Sequence, residues 1–126
     1  MNLQQVKDIL DADVIVGSDQ LEMEVKTAFG ADLMSDVLAF VTEKTVLLTG
    51  LTNMHVIRTA EILDLKCIIF ARGKMPGEDV LQGAEGLHLV VMMAPHTMFT
   101  CAGMLYEGGL RGAAMDWKLS NHGADA

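Results

Sequence analysis

The chain has 126 residues, with 9 Lys and Arg against 17 Asp and Glu, a formal charge of −8 and a pI near 4.7. That is the length of one ordinary domain, and the acidity excludes the clustered cations of a nucleic-acid groove and the polybasic segment that an anionic membrane attracts. Apolar residues make up 51%, which excludes disorder of the whole chain, and no apolar run approaches the roughly 18 residues of a membrane span.

Asn2 is placed to cap a first helix, with Leu3, Val6, Ile9 and Leu10 along one stripe and Asp11-Ala12-Asp13 closing it. The same segment lacks the basic region and apolar stretch of a secretory signal, so the expected compartment is the cytoplasm. Val14-Ile15-Val16 reads as a short strand ended by the turn Gly17-Ser18-Asp19. Leu21 to Ala28 alternates in part and reads as a second strand, which Phe29-Gly30-Ala31 leaves. Ser35 or Asp36 then caps a short helix carrying Val37, Leu38, Phe40 and Val41.

The second half is more regular. Thr45 to Thr49 is an apolar strand ending at Gly50, and Thr52-Asn53 leads into a helix with Val56, Ile57, Ala60 and Leu63 on one face. Leu65 to Ala71 is the next buried strand, followed by the loop Arg72-Gly73-Lys74-Met75-Pro76. Glu78 to Glu85 reads as a helix stopped by Gly86, and Leu87 to Met93 as another strand. Ala94-Pro95-His96 breaks that strand, and Thr97 caps a helix holding Met98, Cys101, Met104 and Leu105. From Gly108 the periodicity is lost.

Alternation of strand and helix from Thr45 to Glu107 implies parallel pairing with right-handed crossovers, and unrelieved apolar strands imply a sheet covered on both faces. The expectation is an α/β single domain, three-layered, with a mostly parallel sheet of four to six short strands and flanking helices. It spans residues 1–112, with 113–126 as a partly disordered tail. Cys67 and Cys101 read as reduced, buried packing thiols. Ten methionines suit a forgiving core or a subunit interface, for which Val90 to Met104 is the expected segment.

A family resemblance sits on these elements. Glu24-Val25-Lys26-Thr27-Ala28, then Asp32-Leu33-Met34-Ser35-Asp36, then Leu47-Leu48-Thr49-Gly50 resemble the DRTGG domain. The run from Ile68 to Pro76 and the helix start Thr97-Met98-Phe99-Thr100 continue the match, which covers Val6 to Tyr106. The resemblance implies a fold similar to the N-terminal domain of HPr kinase and a regulatory, ligand-sensing role without a catalytic residue. Such domains stand beside CBS-domain pairs or at the front of phosphate-acetyltransferase-like enzymes. Small free-standing versions occur in anaerobes, some near iron hydrogenase genes. The signature departs here. The family's Gly-Asp-Arg falls on Gly50-Leu51-Thr52, and its Thr-Gly-Gly on Ala71-Arg72-Gly73, so the Asp and Arg are lost. Arg72 offers a replacement cation from the neighbouring loop.

The residues themselves point to the loops after two consecutive strands, because ligands collect beyond the carboxyl ends of an open parallel sheet. Gly50, Thr52 and Asn53 precede a helix whose free N–H groups favour an anion, and Arg72, Gly73 and Lys74 form the adjoining loop. His96 and Thr97 form a third candidate at the next sheet-end loop. Ordinary turn chemistry with a solvated Arg and Lys is the competing reading. The four histidines show no metal-ligand spacing, so no metal and no cofactor are expected. The dispersed acids, Asp32 and Asp36 among them, read as a solvated face.

Three functions compete on these grounds. The first is a non-catalytic regulatory module that senses a small anionic ligand, such as a nucleotide, as a homo-oligomer. The second is a pure oligomerisation or protein-interaction domain, linked by family context to anaerobic, hydrogenase-associated metabolism. The third, a thiol enzyme acting through Cys101, lacks a base or orienting group at useful spacing. A homodimer is expected because a chain this small buries only about two-thirds of its unfolded surface alone.

Overall fold

The structure is a computed structural model that describes residues 1–41 and 44–113. Helix α1 (Leu3–Leu10) and strand β1 (Asp13–Val16) are followed by β2 (Thr27–Gly30), α2 (Met34–Phe40), β3 (Thr45–Thr49), α3 (Met54–Leu63) and β4 (Cys67–Phe70). Then come α4 (Glu78–Gly86), β5 (Val90–Met93), α5 (Met98–Glu107) and β6 (Arg111–Gly112). The strands form one sheet in the order β1-β5-β4-β3-β2-β6. All neighbours run parallel except β1, which pairs antiparallel with β5 at one edge.

Handedness assigns the helices to their faces. Three consecutive steps, β2 to β3 to β4 to β5, move the same way across the sheet, so right-handed crossovers put α2, α3 and α4 on one side. The next connection runs from β5 back past β2 to β6, and the same rule sends α5 to the opposite side, beside α1. The packing agrees. Val46, Leu48, Cys67, Ile69, Val90 and Met92 face α1 and α5. Leu47, Ile68, Phe70 and Val91 face α2, α3 and α4. Period-two alternation is therefore intact in each strand, but it is hidden in the sequence because both faces are buried.

The α/β, three-layer, mostly parallel expectation holds, and several element limits need correction. The expected strand from Leu21 to Ala28 lies instead at Thr27–Gly30. Its front half serves α1: Leu3 N donates to Met23 O (3.0 Å) and Gln4 N to Leu21 O (2.9 Å), satisfying donors that a helix start leaves free. α2 begins at Met34 with Leu33 in the cap position, not Ser35 or Asp36. β5 starts at Val90, so His88 is not a strand residue. It stands exposed at φ +56°, in the turn that ends α4. Arg111–Gly112 adds a strand where the sequence shows no pattern, and Ala113 N still donates to Ala28 O (3.0 Å). The expected tail lies from residue 114 on outside the described residues. The methionines of the Val90–Met104 segment pack mainly inward: Met92 is buried, and Met98 and Met104 rest against the core.

Both cysteines are free and buried. Burial pushes the Cys67 thiol up to about 12 from 9.0. It also raises that of Cys101, whose Sγ–H donates weakly to His96 O (3.5 Å). Thiolates, not thiols, are nucleophiles. We expect neither cysteine of the folded chain to react with a disulfide reagent at pH 8, and both to react in guanidinium. A fast-reacting native thiol would contradict this burial. Because the unfolded Cys67 thiol ionises first, its share of the stability is complete below pH 9 and is lost as pH rises toward 12.

Candidate functional site

Parallel pairing brings the carboxyl ends of β2, β3, β4 and β5 to one edge of the sheet, and with them the loops at Asp32, Gly50, Arg72 and His96. The β3 loop is tied to the β2 loop by one carboxylate. Asp32 Oδ1 accepts from Gly50 N (2.8 Å) and from Thr49 Oγ1 (3.0 Å). The Thr49 hydroxyl in turn accepts from Leu51 N (3.1 Å). Asn53 caps α3, its side chain accepting from His55 N (3.0 Å). Thr52 is half-buried just ahead of that cap.

The β4 and β5 loops are laced together. Their outgoing helices lie on opposite faces, so the gap between them is the switch point at which open α/β sheets bind ligands. Here backbone bonds close it. Arg72 and Gly73 both adopt left-handed conformations, φ +65° and +61°. Arg72 N donates to His96 O (2.6 Å) and Gly73 N to Ala94 O (2.7 Å). A non-glycine residue in this conformation costs about 1–2 kcal/mol, and two good hydrogen bonds offset that cost at Arg72.

The expected site residues therefore divide. Gly50, Thr52, Asn53, Arg72, Gly73 and Lys74 do share one edge, but the N–H groups of Gly50, Arg72 and Gly73 are already engaged. The cationic groups of this edge are two side chains. Arg72 and Lys74 are exposed, and among the described residues neither has a carboxylate in salt-bridge range. Arg72 Nη2 lies 4.0 Å from the point a Cβ on Gly50 would occupy, and Asp32 Oδ1 and Oδ2 lie 3.5 and 3.7 Å from the same point. His96 turns elsewhere: its Nε2 meets Leu10 O at 3.1 Å, fastening the end of α1 to the start of α5. Thr97 occupies the cap position of α5 without bonding its backbone, and its hydroxyl reaches Thr100 Oγ1 at 3.4 Å.

Asp32 is the residue that sequence reasoning missed. Reading β2 at Leu21–Ala28 instead of Thr27–Gly30 left it on a solvated face. The register that pairs Gly30 with Leu48 sets Asp32 level with Gly50, and no local pattern in the sequence announces it. Its removal opens both bonds that fix the β3 loop. We expect Asp32→Ala to cost about 1 kcal/mol, since the bonds are partly exposed, and Asp32→Asn to cost less. Denaturant midpoints of the two variants check this.

The larger hollows lie elsewhere. One of about 590 Å³ is lined by Ile15 to Gln20, Glu85, His88 and Leu89. Another of about 520 Å³ is lined by Met23 to Val25, Lys44, Thr45, Ile62 to Asp64 and Lys66. Both open on the amino edge, away from the loops. A smaller one at the carboxyl edge, about 250 Å³, is bounded by Asp11, Asp13, Gly73, Met93 and Pro95, and its two carboxylates oppose an anion there. The Arg72 side of Gly73 is the cationic one. Among the described residues no three His, Cys, Asp or Glu side chains converge as metal ligands, and no helix is long and apolar enough to cross a membrane.

No curated protein matches the chain. Among solved structures, the fold matches the regulatory region of Clostridium perfringens pyrophosphatase, its CBS and DRTGG domains in complex with the activator diadenosine tetraphosphate. The TM-score is 0.71 at 17% sequence identity, over 91% of this chain and 51% of that one. The chain thus spans about half the length of that structure. The DRTGG domain family matches residues 5–107, nearly the whole described length. With the family matching over that length, the chain belongs to the DRTGG domain family.

Proposed function

We propose that this chain is a non-catalytic regulatory module that senses a small anionic ligand of the nucleotide class at the Gly50–Arg72 edge, and that it works as a homodimer. One observation carries the reading: the exposed Arg72 guanidinium and the Asp32 carboxylate both stand beside Gly50 at the carboxyl end of β3. A bare anion would be repelled by Asp32. A ligand with a phosphate for Arg72 and Lys74, and a hydroxyl or amino donor for Asp32 Oδ2, suits both charges. The C. perfringens region binds a dinucleotide activator, which puts nucleotides first in the search. Two buried, raised thiols support the non-catalytic half of the reading.

The test is a thermal-shift panel of adenine and guanine nucleotides, diadenosine tetraphosphate, cyclic dinucleotides, NAD, acetyl phosphate and inorganic phosphate. A ligand at 100 times its dissociation constant adds about 2.7 kcal/mol, several degrees for this size. We expect a nucleotide to shift the wild type, and Arg72→Ala to lose at least tenfold in affinity. Silence across the panel would overturn the ligand reading and favour the protein-interaction module. That second reading has its own support in Phe99, 88% exposed on α5.

A further inference from the structure

We infer that α5 is the face through which two copies of this chain pair, antiparallel about a two-fold axis crossing between Ala102 and Gly103. The inference rests on the homodimer reading and specifies its surface.

The first observation is a gap in the helix layers. Three helices cover one face of the six-stranded sheet and only α1 and α5 cover the other. Six strands at about 4.8 Å spacing are about 24 Å across, more than two helices of about 10 Å span. The uncovered strip lies beside α5 at the β2–β6 edge, as a groove of about 130 Å³ lined by Ala28, Gly30, Leu48, Ala102, Tyr106 and Arg111, among others.

The second observation is the outer surface of α5. Phe99 is 88% exposed and Tyr106 60%, the first the most exposed of the large apolar side chains described. They stand seven residues apart, two helical turns, on one stripe. Between them Ala102 and Gly103 are exposed and small, which lets a second helix approach closely. The midpoint of Phe99 and Tyr106 falls between these two residues. A two-fold axis there sets each Phe99 against the partner's Tyr106 and over the groove beside it. Ridge and groove lie on one patch, as a self-complementary interface requires. The Arg111 guanidinium stacks 4.2 Å from the Tyr106 ring centroid and lines the same groove.

Charge selects a second copy as the occupant. Each chain carries −8, so copies repel unless they meet through a neutral surface. From Thr97 to Tyr106, α5 and its cap carry no charged residue, and its one charge, Glu107, stands at the last position of the helix. A basic partner would find better complementarity on α2 or α4, whose charged residues are all acidic.

The test is sedimentation velocity from 1 to 100 μM on the wild type, on Phe99→Asp and on Ile62→Asp. Ile62 is 69% exposed on α3, on the opposite face, and serves as the control. We expect a dimer for the wild type and for Ile62→Asp, and a monomer of unchanged circular dichroism for Phe99→Asp, its association weakened at least 100-fold. A wild type that stays monomeric overturns the homodimer reading itself. A dimer that persists in Phe99→Asp overturns this face alone, as does dissociation by Ile62→Asp. Ala102→Trp, which blocks close approach while keeping an apolar surface, is expected to dissociate the dimer as well, and its persistence would also count against the face.

Discussion

Replacing Phe70 with alanine is expected to lower stability by about 3–5 kcal/mol, the range for an aromatic removed from a packed core. Phe70 is 0% exposed and heads the largest fully buried side chains. It lies at the end of the central strand β4, among the residues packed under α2, α3 and α4. The effect reaches the site as well as the core. Ala94 N donates to Phe70 O (2.9 Å) and Ala71 N to Thr49 O (2.9 Å), so this strand end holds the three loops at their spacing. Against the 5–15 kcal/mol of an ordinary domain, such a loss leaves little reserve. Guanidinium unfolding reads it as a lower midpoint at unchanged slope. A loss below about 1 kcal/mol would mean that the second hydrophobic layer is not packed as described.

Gly17→Ala is expected to cost about 2–5 kcal/mol, combining a left-handed backbone penalty with overpacking. Gly17 has φ +84°, and a Cβ there would stand 2.8 Å from Leu89 O and 3.0 Å from the Val90 Cα. These are backbone atoms at the start of β5 and cannot swing aside. The turn at Gly17 ends β1, the antiparallel edge strand, so the damage is expected to begin there. Hydrogen exchange would show early loss of protection at Val14 to Val16 relative to β3 and β4. Wild-type stability in Gly17→Ala would contradict the close approach of this turn to β5.

The regular middle of the chain was legible because local and global preferences agree there. Thr45 to Thr49 ends at Gly50, Asn53 caps α3, Asp64 closes it, and Cys67 to Phe70 follows, each with the pattern that its place demands. What escaped reading depends on distant pairing. Leu21 to Met23 alternates like a strand but gives its carbonyls to the start of α1, a partner no local pattern announces. Arg111–Gly112 is too short to show a period. The antiparallel placement of β1 follows from which strand it meets, not from its own residues. At the site, Gly50, Arg72 and Lys74 were readable as glycine and cation loops after strands. The engagement of the Gly50 N–H by Asp32, and the bonds from Arg72 and Gly73 to the β5 loop, were not. They arise from side-by-side strands far apart in sequence, and they take the amides of Gly50, Arg72 and Gly73 out of the expected anion site.

The claim that a phosphate-bearing ligand binds at the carboxyl edge is tested most directly by an amide chemical-shift map during titration with ATP, or with whichever nucleotide the panel selects. Saturable shifts are expected, centred on Asp32, Gly50 to Asn53 and Arg72 to Lys74, and abolished in Arg72→Ala. Saturable shifts centred instead on the amino-edge hollows, around Gly17 to Gln20 or Ile62 to Lys66, would contradict it and move the site to the other end of the sheet.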